Sequence, residues 1–294
     1  MSKNNDSLED HLVSELLKTG YPFEIEICGL LDRDWLVFNN DPYLDEDEGK
    51  TREIDILAMH NSEADQYLIE PKSPFFMATD LAVECKKTDT HAWIFFTRQK
   101  ATPPGFGSGQ TLDFLEVFSK GKKNFFEPSD LPKLHYDSFN RIAHTYTEVK
   151  LQGEASQKSE IFEASNQLTK YAAYFMHDWN ERISNDVSRR DIIFLFVAIA
   201  FEGKLYEAIV ERGALSLHSR DNILLAVARR SKVKEGFSYY LIDVVTKNHF
   251  HKYLEALNKD IEKLRDFVYA NEKEFASKAE NEVKGFRTFK GSIY

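Results

Sequence analysis

The chain has few of the residues that mark secreted and membrane-spanning proteins. Only two cysteines occur among its 294 residues, Cys28 and Cys85, which excludes a disulfide framework. The longest apolar run, Ile192–Phe201, has about half the length that a membrane-spanning helix needs. The first residues, Met1–Asp6, are polar and do not resemble a signal peptide. We therefore expect a cytoplasmic protein without a membrane partner.

The chain also lacks an overall excess of basic residues, since its net charge is −10. Residues 1–90 contain 21 Asp and Glu against 8 Lys and Arg, so the first third carries a charge of −13 and the remainder +3. The basic surface expected for tight nonspecific binding to DNA is therefore absent. The acidity of the first third indicates either a solvated acidic face or carboxylates that collect a cation.

Several common catalytic patterns are missing. The nine histidines show no zinc-binding spacing with cysteine, and Cys85 has no histidine beside it in sequence to act as a base. The Gly- and Pro-rich segment Thr102–Gly109 lacks the spacing and the lysine of a phosphate-binding P-loop. The sequence thus argues against a zinc site, a cysteine nucleophile and a P-loop.

Hydrophobic periodicity predicts an α/β protein with a mixed sheet between helices. The acidic stretch Asn39–Lys50 is rich in turn residues, and its run Asp45–Glu48 reads as a solvated hairpin or loop and not as a metal site. Gly203 reads as the turn of a second hairpin. The predicted helices are Leu8–Thr19, one opened by Pro22, Ser159–Arg182 and Phe250–Phe275. The predicted strands are Trp35–Phe38, Arg52–Ala58, Leu81–Lys86, Ala92–Thr97, Asp191–Ala200, Leu205–Val210, Asn222–Arg229 and Tyr239–Val245.

The order of these elements predicts one domain over residues 1–294. Residues 98–155 break the pattern and read as an insertion, with one short helix near Leu112–Lys120. Residues 247–294 form a C-terminal helical extension, which would pack on the sheet or pair between subunits. A homodimer would suit an enzyme that cuts two strands.

Three charged residues stand where structural strands would carry apolar ones. Asp55 lies between Ile54 and Ile56, and Glu84 and Lys86 follow one another on one face of the next predicted inner strand. Carboxylates without partners inside a sheet are costly, but they are tolerated where they bind a cation and one another. The alternative is a paired ionic network at a solvent-facing edge.

The chemistry of this set fits phosphodiester hydrolysis. Carboxylate oxygens suit Mg²⁺, which polarises a phosphate and lowers the pKa of an attacking water, and Mn²⁺ can substitute for it. Lys86 would stabilise developing negative charge, or orient or deprotonate the water. The main-chain carbonyl of Cys85 is a further candidate oxygen ligand.

The pattern of Asp55 followed by Glu84-Cys85-Lys86 resembles the PD-(D/E)xK nuclease superfamily, although Ile54 replaces the proline of the motif. The resemblance implies a restriction-endonuclease-like α/β/α core with a mixed central sheet, in which Asp55 and Glu84 bind Mg²⁺ and Lys86 assists catalysis. It further implies a deoxyribonuclease acting in restriction, repair or defence.

Two further segments resemble branches of that superfamily. Pro22-Phe-Glu24 looks like the start of Mrr-type domains, which implies that Glu24 completes the metal site, with Glu26 or Glu15 as substitutes. Gln167-Leu-Thr-Lys-Tyr171 looks like the helix motif of the RecB-like branch. That likeness implies that Gln167 and Tyr171 approach the active site or the nucleic acid, and that Lys170 reaches a phosphate.

Each of these assignments has a structural alternative. Glu24 is favourably placed near a helix N-terminus whether or not it binds metal. Gln167 and Tyr171 fit the polar flank of an amphipathic helix equally well. For the whole chain, the alternative is a catalytically silent nuclease-like protein that binds nucleic acid or a protein partner.

Overall fold

The computed structural model describes residues 8–60, 76–99, 118–119, 122–123, 131–151, 159–185, 191–230 and 237–290. The fold is α/β, with a mixed eight-stranded sheet and a long C-terminal helix. The helices are α1 (Leu8–Leu16), α2 (Tyr21–Leu31), α3 (Glu160–Asn185) and α4 (Phe250–Lys290), with short 3-10 turns at His135–Ser138 and Lys247–His249. The strands are β1 (Trp35–Asp45), β2 (Lys50–His60), β3 (Phe76–Gln99), β4 (Phe118–Ser119), β5 (Lys122–Lys123), β6 (Arg141–Lys150), β7 (Asp191–Glu211), β8 (Ala214–Ser219), β9 (Asn222–Arg230) and β10 (Phe237–Thr246).

The main sheet has the strand order β1-β2-β3-β6-β9-β10-β7-β8, and β4 pairs only with β5. An additional pairing between β3 and β7 closes five of these strands into a ring. β7 runs parallel to both β3 and β10, so its segment Ile192–Phe201 is apolar at every position and fully buried. A continuous apolar run of this kind is typical of a strand covered on both faces.

Helices cover both faces of the sheet near β3. Cys85 of β3 lies close to Cys28 of α2, and α2 in turn contacts α4. Asp80 and Glu84, which alternate with Cys85 along the strand, lie instead near aromatic residues contacted by α3. Because successive side chains of a strand point to opposite faces, α2 and α3 lie on opposite sides of β3.

The four long helices lie where they were predicted, although the last continues to Lys290, whereas several strand boundaries were wrong. The segments predicted as separate strands at residues 81–86 and 92–97 belong to one strand, β3, whose register with β7 shifts between Lys87 and Ala92. β1 continues to Asp45, well into the stretch predicted as turns. A positive φ of 53° at Asn40 lets this strand bend without ending, and asparagine tolerates that conformation better than most residues.

Gly203 does not form the predicted hairpin turn, because β7 passes straight through it. The hairpin lies further on, at Arg212 and Gly213, whose φ angles are 50° and 81°. A Cβ atom at position 203 would stand 2.8 Å from the carbonyl oxygen of Thr88 and 2.5 Å from the ring of Phe201. Glycine is therefore needed here for close approach of two strands and not for a turn.

Part of the segment predicted as an insertion belongs to the main sheet. β6 pairs with β3 from Arg141 to Lys150, and Ile142 is buried. The Gly- and Pro-rich loop at residues 102–109 and most of the helix predicted at residues 112–120 lie outside the described residues, although Phe118–Ser119 is a strand. Within the parts of the chain that the structure describes, no helix has both the length and the apolar character needed to cross a bilayer.

Candidate active site

The candidate site lies where the pairing of β2 with β3 ends. That pairing runs from Met59↔Asp80 to Ile56↔Val83, and the same register continued by one residue sets Asp55 opposite Glu84. Asp55 Oδ2 accepts a hydrogen bond of 2.8 Å from the backbone amide of Cys85. The two strands therefore bring together the acids that are 29 positions apart in sequence.

Glu84 and Lys86 form a close ion pair on one face of β3. Lys86 Nζ stands 2.7 Å from Glu84 Oε2 and 3.9 Å from Asp55 Oδ2. The side chain of Glu84 is fully buried, whereas those of Asp55 and Lys86 keep 20% and 23% of their surface exposed. The cluster therefore opens to solvent on the side of Asp55 and Lys86 and is closed behind Glu84.

Burial and the neighbouring charges together set the pKa values of Glu84 and Lys86. Burial raises the pKa of Glu84 to about 8, although the neighbouring Lys86 favours the ionised form. Burial also lowers the pKa of Lys86, but the charges of Glu84 and Asp55 outweigh it and raise that pKa above the ordinary value. Glu84 Oε1 is buried and has no hydrogen-bond partner among the residues that the structure describes. An isolated buried carboxylate oxygen of this kind is costly unless a cation or a proton satisfies it.

The backbone of Cys85 offers one more oxygen. Its amide donates to Asp55 on β2, and the N–H and C=O of one strand residue point toward the same neighbouring strand. We therefore expect the Cys85 carbonyl to face the side of the strand that Asp55 occupies. Its thiol is buried on the opposite face near Cys28, which raises the pKa of the thiol well above its ordinary value and keeps it unreactive.

Glu24 is the acid of α2 that is electrostatically coupled to the cluster. Burial and the charge of Asp55 raise the pKa of Glu24, while Lys86 lowers it. Glu26 forms an ion pair with Lys247, and Glu15 pairs with a lysine of its own helix end. The two substitutes proposed from the sequence are thus engaged at the surface, which leaves Glu24 as the better candidate.

The three residues assigned from α3 occupy different environments. Gln167 Nε2 donates a hydrogen bond to the backbone carbonyl of Glu53, two positions before Asp55. This bond connects α3 to β2 beside the cluster. Tyr171 is buried and its hydroxyl donates to Asp41. Lys170 Nζ contacts Asp45 Oδ2 at 2.5 Å and Glu48 Oε1 at 2.8 Å. Its ammonium neutralises two acids of the β1–β2 hairpin, which favours a structural role for Lys170 over contact with a phosphate.

The acidic run lies in a hairpin whose Glu46 and Glu48 are exposed, but these contacts correct the prediction of solvation for Asp45. Asp45 is fully buried and is held by Arg52 at 2.7 Å as well as by Lys170. Asp47 pairs with Arg229 at 2.5 Å. The turn at residues 46–49 is present, but its acids tie α3 and β9 to the hairpin.

Sequence reasoning missed two residues near the cluster. Asn40, with its positive φ, occupies the position of β1 opposite Asp55, and regular pairing skips it. Asp80 is fully buried on the same face of β3 as Glu84, and burial raises its pKa to about 8. The signal for Asp80 was available, because it is a charged residue in an apolar run at strand spacing from Glu84. Asn40 left no such signal, since Asn-Asn is typical of turns.

Among the described residues, no group of three or more His, Cys, Asp or Glu side chains converges closely enough to hold a metal unaided. The oxygens near one another are those of Asp55 and Glu84, with the Cys85 carbonyl expected beside them. The chain matches no protein-family model, no curated protein and no solved structure. The assignment of function therefore depends on the geometry of this cluster.

Proposed function

We propose that the chain is a Mg²⁺-dependent nuclease of restriction-endonuclease-like fold that hydrolyses phosphodiester bonds in DNA. The observation that carries the proposal is the meeting of Asp55, Glu84 and Lys86, in which the buried Oε1 of Glu84 has no hydrogen-bond partner among the described residues. A structural ion pair needs one acid and one base. This cluster holds a second acid, and Glu24 adds a further negative charge close by.

The donor set suits a small, hard cation. Asp55, Glu84 Oε1 and the Cys85 carbonyl would hold Mg²⁺ through oxygens alone, and Mg²⁺ commonly takes one or two carboxylates and keeps several waters. Bound there, the ion would supply Lewis acidity toward a phosphate and an activated water. Because Mg²⁺ needs few protein ligands, the lack of a group of three acidic side chains is compatible with this site.

The side chains of the cluster would have separate roles in the reaction. Asp55 is held in place by the Cys85 amide, and Glu84 is held by Lys86. The Lys86 side chain is partly exposed, so its ammonium would donate a hydrogen bond to a phosphate oxygen and stabilise the charge that develops there. Glu24, partly buried with a raised pKa, would hold a water or complete the cation site.

The substrate would be DNA and the setting one of restriction, repair or defence. The overall charge of −10 implies that the chain does not hold DNA by general electrostatic attraction. Binding would depend instead on the cation and on Lys86, and it should therefore be weak in the absence of Mg²⁺.

A catalytically silent protein is the second candidate. The observation that favours it is the close Lys86–Glu84 pair, which by itself accounts for a buried carboxylate in a strand. In that case Asp55 would serve only to anchor the Cys85 amide. Such a protein would bind nucleic acid or another protein without needing a cation.

Cleavage of plasmid and linear DNA with Mg²⁺ or Mn²⁺ tests the proposal. We expect Asp55→Asn and Lys86→Ala each to lower the rate by about a hundredfold or more, since each removes a group that acts on the reacting phosphate. Glu53→Gln and Lys87→Ala are matched controls. Glu53 lies two positions before Asp55 on β2, Lys87 follows Lys86 on β3, and both side chains are exposed. Equal rates in the parent and in both site variants would overturn the assignment.

Calorimetric titration separates the two candidates without a cleavage assay. A nuclease should release or absorb heat on addition of Mg²⁺ or Mn²⁺, and Asp55→Asn should abolish that heat while Glu53→Gln retains it. A silent protein should give the same featureless titration for the parent and for both variants.

A further inference from the structure

The strand β8 forms the outer edge of the main sheet and is exposed along its whole length. Leu215 and Leu217 keep 60% and 51% of their surface exposed, and Val210 beside them on β7 keeps 59%. The strand contains no Asp, Glu, Lys, Arg or Pro. Proteins normally protect such an edge with charge, proline or a bulge, because its free N–H and C=O groups pair readily with another strand.

The opposite edge of the same sheet has those protections. β1 carries Pro42, which has no N–H to donate, and Asn40, whose positive φ interrupts regular pairing. Asp41 adds a charged residue to that strand. Only one of the two edges is therefore open to a new strand among the residues that the structure describes.

The backbone pattern of β8 shows which groups are available. The two-residue turn at Arg212 and Gly213 makes Glu211 and Ala214 the first hydrogen-bonded pair of the β7–β8 hairpin. The amide of Arg220 also donates to β7, at the carbonyl of Leu205. Even-numbered residues of β8 therefore bond to β7, and the N–H and C=O groups of the odd-numbered residues point outward.

We propose that β8 pairs antiparallel with β8 of a second copy of this chain, forming a symmetric dimer with one continuous sheet. A twofold axis perpendicular to the sheet at Leu217 sets every outward residue of β8 opposite another. Leu217 faces its own copy, and Leu215 faces Ser219. This register uses all the outward hydrogen-bonding groups of the strand.

The side chains favour a second copy over an unrelated strand. Leu215 and Leu217 lie on one face of β8, so the twofold axis brings the two Leu217 side chains together with Leu215 on either side. Because β8 carries no charged residue, no like charges meet within the pairing. The proposed dimer does not involve Asp55, Glu84 or Lys86, so it can be tested independently of the nuclease activity.

Sedimentation of the full chain at increasing concentration tests the proposal. The mass should rise from 34.1 kDa toward twice that value. Leu217→Lys should remain at the monomer mass, because it places two like charges at the axis. Leu36→Lys is the matched control, since Leu36 is also 51% exposed but lies on β1. A parent that stays monomeric at all concentrations, or a Leu217→Lys dimer as stable as the parent, overturns the proposal.

Disulfide trapping tests the register. Leu217→Cys should cross-link the two copies under mild oxidation, because hydrogen-bonded antiparallel partners have Cα atoms about 5.5 Å apart. Leu215→Cys is the control, because the register faces it with Ser219 and not with itself. Cross-linking through position 215 and not through 217 would contradict the twofold axis proposed here.

Discussion

Asp55 accepts a hydrogen bond from the backbone amide of Cys85, the residue that separates Glu84 from Lys86. This bond joins β2 to β3 one position beyond the last regular pair between them. It uses one carboxylate oxygen of Asp55 for anchorage. The three charged groups of the site are thereby held on two strands that no longer pair with each other.

The anchoring role of Asp55 predicts different stabilities for two substitutions that remove the same charge. Asp55→Ala leaves the buried Cys85 amide without an acceptor, which should lower the free energy of unfolding by about 1–3 kcal/mol relative to Asp55→Asn. Asparagine keeps a side-chain oxygen at the same place. Urea unfolding of the two variants measures the difference, and equal midpoints would show that the bond contributes nothing to stability.

The ion pairs of Lys170 predict a structural and not a phosphate-binding role. Lys170→Ala removes one of the two cations that pair with the buried carboxylate of Asp45 and leaves Arg52 and the backbone amide of Asp47. Breaking a buried pair costs about 3 kcal/mol. We expect a clear loss of stability in thermal unfolding. Below the unfolding temperature, DNA binding should keep its dependence on salt concentration. A shallower salt dependence would instead show that Lys170 contacts a phosphate.

Most of the framework was predictable from the sequence because its signals are local. The apolar spacing of α3, the proline that opens α2 and the alternation of β2 all depend on neighbours along the chain. The charged positions of Asp55 and Glu84 were found for the same reason, since each interrupts a strand pattern.

The errors occurred where distant parts of the chain decide the local structure. Asp45 looks solvated in sequence, but it is buried beside Lys170, 125 residues later, which neutralises it together with Arg52. Gly203 looks like a turn residue, but glycine is required at this position because the carbonyl oxygen of Thr88 on β3 leaves no room for a Cβ atom. Neither partner can be identified from residues adjacent in sequence.

The crowding at Gly203 predicts a large effect for a small substitution. Gly203→Ala should destabilise the protein by about 1–3 kcal/mol, because the added methyl group meets a backbone oxygen that cannot move freely. Gly29→Ala is the control, since a Cβ there has nothing within 4 Å and lies in α2. It should stabilise the protein by roughly 0.5–1 kcal/mol. Denaturant unfolding of both variants compares them, and a neutral Gly203→Ala would mean that β3 and β7 can separate.

A buried histidine predicts how stability depends on pH. His135 Nδ1 lies 2.6 Å from Asp260 and Nε2 lies 3.1 Å from Asp243, which joins the turn at residues 135–138 to α4 and β10. Burial lowers the pKa of His135, but these two carboxylates outweigh it and raise the pKa from 6.5 to about 9. The protonated ring is therefore the form that the folded protein favours.

The stability that His135 contributes should be complete below pH 6.5 and lost as the pH rises through about 9, because the unfolded chain releases its proton first. A shift of this size corresponds to about 3 kcal/mol. The free energy of unfolding of the parent and of His135→Gln is measured from pH 6 to pH 9.5, and the difference between the two gives the contribution of His135. The titration of Asp80 and Glu84 affects both proteins and cancels in this difference. We expect the advantage of the parent to shrink steadily over that range. A constant difference would mean that folding does not raise the pKa of His135.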